Sequence, residues 1–182
     1  SGPRSARNVL LHPEVDAAVL ETARGGMLRE GLAFDRCKVA VVTNLGGGDH
    51  LGLNYITTLE DLTVLKRVIV LNVEPDGMAV LNAADPAVAA MAPHCPGDVT
   101  FFALDVTQPV LAAHRAQGRR VVFIDQGAIV AQKGKQILRI PLTQVPLTLG
   151  GQIGFQTENV LAAVGAAWAV DTPWEAIVRT AR

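Results

Sequence analysis

The sequence predicts an α/β domain with a mostly parallel β-sheet flanked by helices, together with a small antiparallel meander. Apolar, β-branched runs alternate with helical patterns up to about residue 118, which is typical of a parallel sheet that helices cover on both faces. Beyond that point, three short apolar runs are separated by Asp-Gln-Gly and by Lys-Gly-Lys. Each separator is a hairpin signal, so these runs predict the meander, which we expect at the edge of the sheet.

The expected elements follow in chain order. Strands are expected at the apolar runs 17–20, 39–42, 79–81 and 100–104, and within the meander at 119–142. Helices are expected before the first strand, at 27–32, 58–73 and 86–91, as a strongly amphipathic helix from about Phe155, and after Pro173. The predicted organisation is one domain over 1–182, divided into an α/β part at 1–118, a meander region at 119–150 and final helices at 151–182.

The helix at 58–73 has the clearest signals. Thr57 or Thr58 is expected as its N-cap, and Glu60 and Asp61 lie in its first turn, where carboxylates interact favourably with the helix dipole. Lys66 borders the buried stripe of this helix and could reach a phosphate, although most lysines on helices are simply solvated. The residues of that stripe are Leu62, Leu65, Ile69 and Val73.

Length, charge and composition limit the class of protein. The chain has 182 residues, of which 49% are hydrophobic, and its formal net charge is −1. With 4% aromatic residues and no excess of basic residues, nucleic acid is not an expected partner. No apolar run approaches the roughly 18 residues of a membrane span, so we expect no membrane association. Cys37 and Cys95 are expected to be reduced core thiols of a cytoplasmic protein.

The run at 39–42 opens into a glycine-rich loop, Thr-Asn-Leu-Gly-Gly-Gly-Asp-His, which raises the question of a phosphate or metal site. The loop lacks the Gly-Lys-Ser/Thr of a P-loop and the glycine spacing of a dinucleotide-binding turn. We therefore do not expect it to bind phosphates by itself. His50 and Glu21 each follow an expected buried strand, at the edge where open α/β sheets place their ligands.

A carboxylate and an imidazole that converge there could hold Mg²⁺, which needs only one or two protein groups besides water and phosphate. Two plainer interpretations stay open. Glu21 could instead cap the helix that begins near Gly26, and His50 could be a solvated loop residue.

Other polar residues have both a structural and a functional interpretation. Asp85 and Pro86 are an ordinary N-cap and first helical residue, and Asn82 could belong to the same turn. Gln156 and Asn159 lie three residues apart at the start of a helix, so both point to one side. Amides placed in this way could read an adenine edge or merely cap the helix.

Several stretches, in this order, resemble the Mur ligase-like central domain of cyanophycin synthetases. They are GPRSARNVL, DAAVLETARGGMLREGLAFDRC, VVTNLGGGDHLGL, TLEDLTVLKRVIV, DGMAVLNAADPAVAAM and FQTENVLAA. The resemblance spans nearly the whole chain, with the region 108–150 matching least distinctly. The block that contains Glu-Thr-Ala-Arg-Gly-Gly is highly specific, whereas the wider Mur ligase superfamily shares the glutamate, the histidine after Thr-Asn and the amide pair.

The resemblance implies the central ATPase domain of an ATP-dependent amide ligase, with ATP and Mg²⁺ as cofactors. In this family ATP converts a carboxylate into an acyl phosphate, from which an amine displaces the phosphate. The implied reaction of the full-length enzyme joins arginine to the side-chain carboxylate of a poly-aspartate backbone. The implied partners are this polymer, arginine and further domains of the same chain, and we expect a cytoplasmic homo-oligomer.

The family's functional residues carry over by position. The resemblance implies that Glu21 and His50 hold Mg²⁺, that Asn44 lies beside them, and that Lys66 lies near a second metal. The expected site residues are Lys66 and His50 for catalysis, Asn44, Asn82, Gln156 and Asn159 for nucleotide binding, and Glu21 and His50 for the metal.

The chain also departs from the family pattern. The loop before His50 carries three glycines, and Ala84 stands where relatives often have aspartate. No P-loop strand is present in the sequence, so we expect the phosphate cradle to lie elsewhere and predict that the isolated chain is inactive. Two alternatives stay open: another Mur ligase-like amino-acid ligase, and a Mur-like binding module without catalysis.

Overall fold

The structure is a computed structural model that describes residues 2–45 and 56–182. These ranges contain six strands and seven α-helices, which alternate from β1 to β4. The strands are Cys37–Val42 (β1), Val73–Asn82 (β2), Asp98–Asp105 (β3), Val121–Asp125 (β4), Ala128–Lys133 (β5) and Gln136–Pro141 (β6). The helices are Pro3–Leu10 (α1), Arg24–Glu30 (α2), Leu59–Leu71 (α3), Pro86–Ala89 (α4), Pro109–Ala116 (α5), Gly154–Ala169 (α6) and Trp174–Ala181 (α7).

The six strands form one sheet in sequential order, β1 to β6. Strands β1 to β4 are parallel, whereas β4, β5 and β6 are antiparallel neighbours. This topology confirms the predicted mostly parallel sheet with an antiparallel meander. β6 forms one edge of the sheet, as expected for the end of the meander, and only one of its residues, Ile140, is buried.

Helix α3 begins as its sequence predicts. Thr58 is the N-cap, and its hydroxyl accepts from the Asp61 amide at 3.1 Å while the Asp61 carboxylate accepts from the Thr58 amide at 3.0 Å. This reciprocal pair is a capping box, which satisfies amides that have no partner within the helix. The box confirms Thr58 as the cap and fixes where α3 leaves the loop before it.

The two faces of the sheet are covered by different helices. On one face, α3, α4 and α5 pack over residues such as Leu81, Phe101 and Phe123, each at most 4% exposed. On the other face, α6 packs across β2, β3 and β4, and buries Val80, Phe102 and its own Leu161. The sheet therefore has apolar residues on both sides, as parallel sheets require.

The expected strand at 17–20 is not formed. These residues have no helix or strand assignment, and the Val19 side chain is fully exposed. A short apolar run becomes a strand only when a neighbouring strand accepts its backbone hydrogen bonds, and β1 pairs only with β2 within the described residues. The prediction was therefore wrong about the local structure that precedes Glu21.

Three further features differ from or refine the sequence-based expectations. α5 was not expected. Six of the seven buried residues of α6, at positions 157, 160, 161, 164, 165 and 168, recur at helical spacing on one face, which is the buried stripe of the predicted amphipathic helix. Both cysteines are free and half-buried, and burial raises the pKa of each thiol. Within the described ranges, no helix is long and apolar enough to cross a membrane.

Candidate functional site

The carboxyl ends of β1 and β2 lie side by side. The strands are parallel, and Val42 of β1 is in register with Leu81 of β2. Asn44 therefore follows β1 at the same edge where Asn82 ends β2 and Asp85 begins the connection to α4. This edge is where open α/β sheets bind ligands, and it brings together residues that are about forty positions apart in the sequence.

Asp85 connects the two strand ends. Its Oδ1 accepts from the amides of Ala87 at 3.0 Å and Val88 at 3.2 Å, which confirms that Asp85 is the N-cap of α4. Its Oδ2 accepts from the amide of Leu45 at 3.0 Å. One carboxylate thus holds both the start of α4 and the third residue of the glycine-rich loop, just after β1.

Lys66 reaches the same strand end from α3. Its Nζ donates to the backbone carbonyl of Asn44 at 3.0 Å, and its side chain is half-buried. Loss of water around the ammonium group lowers the pKa of Lys66, and the negative charge of Asp85 opposes that shift. The structure therefore places Lys66, Asn44 and Asp85 together, with a cation at the carboxyl edge of the sheet.

Asn82 has a structural contact. Its side chain is buried, and its Oδ1 accepts from the amide of Ala84 at 2.9 Å, as expected for a turn residue. Gln108, which the sequence reasoning missed, supports the same turn. Its Nε2 donates to the carbonyl of Ala83, while its Oε1 accepts from the amide of Leu111 as the N-cap of α5. The Gln-Pro pair before α5 is the sequence signal that could have identified this cap.

Gln156 and Asn159 lie in the first two turns of α6. The Nδ2 of Asn159 donates to the Oε1 of Gln156 at 3.3 Å, so the two amides lie on one side of the helix as predicted. α6 has no side-chain N-cap, and its N-cap position is occupied by Ile153. The amide pair therefore does not cap the helix, and the Nε2 of Gln156 and Oδ1 of Asn159 make no other hydrogen bond within the residues that the structure describes.

The two expected metal ligands are not brought together by the described residues. Glu21 is exposed in the segment between α1 and α2, where it lines a narrow cleft of about 20 Å³ with Gly26 and Phe34. His50 lies outside the described residues. Over 2–45 and 56–182, no group of three or more histidine, cysteine or acidic side chains is arranged to hold a metal ion.

Comparison with known proteins gives the family. The chain matches the Mur ligase middle domain over residues 5–167. The chain belongs to the Mur ligase middle domain family. It is 44% identical over 169 residues to a cyanophycin synthetase of Synechocystis, and 41% identical over 178 residues to one of Trichormus variabilis. These alignments cover 92% and 97% of the chain but only 19% and 20% of those relatives, so the chain spans about a fifth of their length.

A further relative is less similar to the chain. The chain is 28% identical over 145 residues to a UDP-N-acetylmuramoylalanine–D-glutamate ligase of Symbiobacterium thermophilum. That alignment covers 76% of this chain and 28% of the relative. The relatives in both groups are ligases, and the family assignment therefore supports a ligase domain.

Proposed function

We propose that this chain forms part of the ATP site of an amide ligase that joins arginine to the side-chain carboxylate of a poly-aspartate backbone. The observation that carries the proposal is the convergence of Lys66, Asn44 and Asp85 at the carboxyl ends of two adjacent parallel strands. The similarity to cyanophycin synthetases supports the choice of substrate.

The proposed reaction has two steps. A carboxylate oxygen of the polymer attacks the γ-phosphorus of ATP, and the bond from that phosphorus to the leaving ADP oxygen breaks. The neutral amine nitrogen of arginine then attacks the acyl carbon, the carbon–oxygen bond to phosphate breaks, and the proton that the nitrogen loses is taken up by the leaving phosphate. Such chemistry depends on positioning and on compensation of negative charge, because the phosphoryl oxygens carry most of the charge in the transition state.

Lys66 is the residue best placed to compensate that charge. Its ammonium group is at the strand edge, and one of its three donors is already directed to the Asn44 carbonyl. The remaining donors can bind phosphate oxygens. Partial burial strengthens this interaction, because a charge interacts more strongly where less water surrounds it.

Mg²⁺ is the proposed metal, with Glu21 and His50 as its ligands. The described residues do not assemble a complete metal site, since the Asp85 carboxylate is already used by three backbone amides. When bound, Mg²⁺ would neutralise charge on the phosphates. Asn44 and Asn82 are the proposed neighbours of the nucleotide on the sheet side.

Gln156 and Asn159 are proposed to contact adenine. Their mutual hydrogen bond uses one hydrogen of Asn159 Nδ2 and leaves the Nε2 of Gln156 as a donor and the Oδ1 of Asn159 as an acceptor, which can pair with a ring nitrogen and the amino group of adenine. Guanine presents the opposite pattern at the corresponding positions. The proposal therefore includes a preference for ATP over GTP.

Two other functions fit the same fold. A different Mur ligase-like amino-acid ligase would use the same ATP site with another acyl and amine substrate. A binding module without catalysis would keep the fold and lose nucleotide binding. The 41–44% identity to cyanophycin synthetases favours the first proposal over another ligase. Lys66 and the amide pair favour it over a module without nucleotide binding. We also propose that the isolated chain binds ATP weakly without ligase activity, that the whole protein is a cytoplasmic homo-oligomer, and that it needs further domains.

The test is a titration of the chain with ATP and Mg²⁺, followed at each backbone amide by NMR. We expect weak, local shifts at Asn44, Lys66 and Asn159, and smaller shifts with GTP. Asn159→Ala should remove the shifts at the start of α6 and keep those near Lys66. Shifts that are absent from all three regions, or equal for ATP and GTP, would contradict the proposed nucleotide site. Tight binding by the isolated chain would contradict the view that it holds only part of that site.

A further inference from the structure

The charged residues are distributed unevenly along the chain. Residues 106–157 contain six of the 16 basic residues and only one of the 17 acidic residues, Asp125. The chain as a whole has a net charge of −1, so this region is positive within an otherwise acidic protein. A concentration of one sign of charge creates a local potential that attracts the opposite charge.

Two of these six basic residues are neutralised internally. Arg139 pairs with Asp125 at 2.7 Å, and Arg120 lies 3.6 Å from Asp171 while it also stacks on the ring of Trp168. Within the described ranges, the other four form no ion pair, and all four are exposed. We call them the basic turn surface: Arg115, Arg119, Lys133 and Lys135.

Two touching turns bring these four residues to one place. The turn after α5 and the turn between β5 and β6 each contain a glycine with positive φ, Gly118 and Gly134. A Cβ on Gly118 would lie 3.7 Å from the Cα of Gly134, so the two turns are in contact. Arg119 follows the first glycine directly, and the two lysines flank the second.

Arg115 is fixed onto the hairpin. Its Nε donates to the Oε1 of Gln132 at 2.7 Å, and the Nε2 of Gln132 donates to the carbonyl of Gly134 at 3.0 Å. Its guanidinium group also lies over the ring of Phe123, 5.0 Å from the ring centre. The outer nitrogens of the guanidinium form no hydrogen bond in the part of the chain that the structure describes. The basic turn surface therefore has one cation held by hydrogen bonds at its base and three exposed cations around it.

This surface lies at the opposite end of the parallel strands from the candidate functional site. Gln132, next to the turn, pairs with Val121, the first residue of β4. The basic turn surface is thus at the amino ends of the parallel strands, whereas Lys66 contacts the carboxyl end of β1. The two ends of a five-residue strand are roughly 17 Å apart. A ligand on one edge does not need to displace a ligand on the other.

We propose that the basic turn surface binds a carboxylate-rich polypeptide strand of the poly-aspartate type. The carboxylates of an extended aspartate chain recur on one side about every 7 Å, which suits several separate cations on adjacent turns better than a single pocket does. Asp98, an acidic residue, starts β3 at the same end of the sheet. Within the described residues it forms no ion pair with any of the four cations, so it does not neutralise them directly. The identity of the anion rests on the proposed function, whereas the positive surface does not.

Nucleic acid is a poorer match for this surface. Proteins that bind single strands combine basic grooves with aromatic side chains on which the bases stack. Arg115 lies over the ring of Phe123, which is 2% exposed. This ring is therefore not available for a base to stack on. A ligand that offers carboxylates without bases therefore fits better.

The test measures binding of a fluorescent aspartate oligomer to the chain by anisotropy at low ionic strength. Lys133→Glu with Lys135→Glu should weaken binding by about tenfold or more, because two attractive charges become repulsive. Binding should also weaken as salt is added, since the Debye length falls from about 30 Å at 0.01 M to about 10 Å at 0.1 M. Lys133→Gln with Lys135→Gln should have a smaller effect in the same direction.

The control is Arg7→Glu with Arg179→Glu, which reverses two exposed cations in the last turns of α1 and α7 and gives the same net charge. Equal weakening by this control would show that only net charge matters, and would overturn the proposal. Absence of binding, or tighter binding of a DNA strand of equal charge, would also overturn it. The ATP titration is repeated with each variant: unchanged ATP shifts in a variant that no longer binds the oligomer separate this proposal from the nucleotide site.

Discussion

The Nζ of Lys66 donates a hydrogen bond to the backbone carbonyl of Asn44 across 22 positions of sequence, at 3.0 Å. This contact ties α3 to the second residue of the glycine-rich loop. Asp85 binds the next residue along, Leu45, from the side of β2. A cation and an anion from two different elements therefore hold the backbone at the point where β1 ends, and their charges can act on each other and on a bound phosphate.

Replacement of this cation tests its proposed role. We expect Lys66→Met to abolish the ATP-dependent amide shifts at Asn44, because the ammonium group is the cation that the structure places at this edge. The stem of methionine preserves much of the packing, so the fold should persist with a change in the free energy of unfolding of less than about 1.5 kcal/mol. The matched control is Lys133→Met, on the opposite edge of the sheet, which should leave the ATP response intact.

The same variant also has a pH signature. Desolvation lowers the pKa of Lys66 in the folded chain, so between that pKa and the ordinary lysine value the unfolded chain binds more protons. The free energy of unfolding should therefore increase, and the folded state become more stable, as pH rises through this interval. Urea denaturation at a series of alkaline pH values should show that contribution as a difference between the wild type and Lys66→Met. A difference that is constant with pH would contradict it.

Asp85 should be a major stabilising residue of this edge. Asp85→Ala removes acceptors from three backbone amides, one of which belongs to the strand end and two to α4. Loss of an N-cap and of one further bond to a charged acceptor should cost about 1–3 kcal/mol of unfolding free energy. Asp35→Ala, at an exposed acidic residue, is the matched control and should change stability by less than about 0.5 kcal/mol. A similar cost for both variants would refute this role.

Much of the fold could be predicted because its signals are local. The N-cap of α3 at Thr57 or Thr58, the N-cap at Asp85 and the turns of the meander each depend on a few consecutive residues. The alternation of apolar runs and helical patterns gave the correct fold class for the same reason. Propensity and capping are properties of short segments, so a single sequence carries them.

The residues around Glu21 show where local signals end. The run before it has the composition of a strand, yet strand formation depends on a partner, which no local pattern specifies. The candidate site was predictable only as a set of residues at strand ends. The contact of Lys66 with Asn44 and the support from Gln108 arise from packing between distant elements, and neither is encoded in a motif.

His114 should make the fold sensitive to mildly acidic pH. It is buried in α5, its Nε2 lies 2.9 Å from the carbonyl of Val99, and its ring packs edge-on against Phe101. Burial lowers its pKa, and the positive charge of Arg119 lowers it further. The hydrogen bond to Val99 and the negative charge of Asp98 act in the opposite direction. Because the unfolded chain binds the proton more readily, stability should fall as pH drops below about 6.5, the ordinary histidine value, towards the lowered pKa.

The measurement is thermal unfolding between neutral and mildly acidic pH. His114→Gln can keep a donor to Val99 but cannot be protonated, so its melting temperature should change less over this range than that of the wild type. His12→Gln, at an exposed histidine, should keep the wild-type dependence. Parallel curves for the wild type and His114→Gln would exclude His114 as the source of the effect.

Gly165 permits the close approach of α6 to the sheet. A Cβ at this position would lie 2.9 Å from the Cγ1 of Val80, which is fully buried in β2 and cannot move away easily. Overpacking of this kind costs roughly 1–3 kcal/mol, which exceeds the gain of about 1 kcal/mol that alanine has over glycine inside a helix. Gly165→Ala should therefore lower the free energy of unfolding in spite of its better helix propensity.

Gly154 provides the matched control within the same helix. A Cβ there would meet no atom within 4 Å, so Gly154→Ala should be neutral or stabilising by up to about 1 kcal/mol. Urea denaturation of both variants measures the contrast directly. If Gly165→Ala proved as stable as Gly154→Ala, α6 would have to shift away from β2 to make room. That shift would also move Gln156 and Asn159 and would alter the ATP-dependent amide shifts at the start of α6.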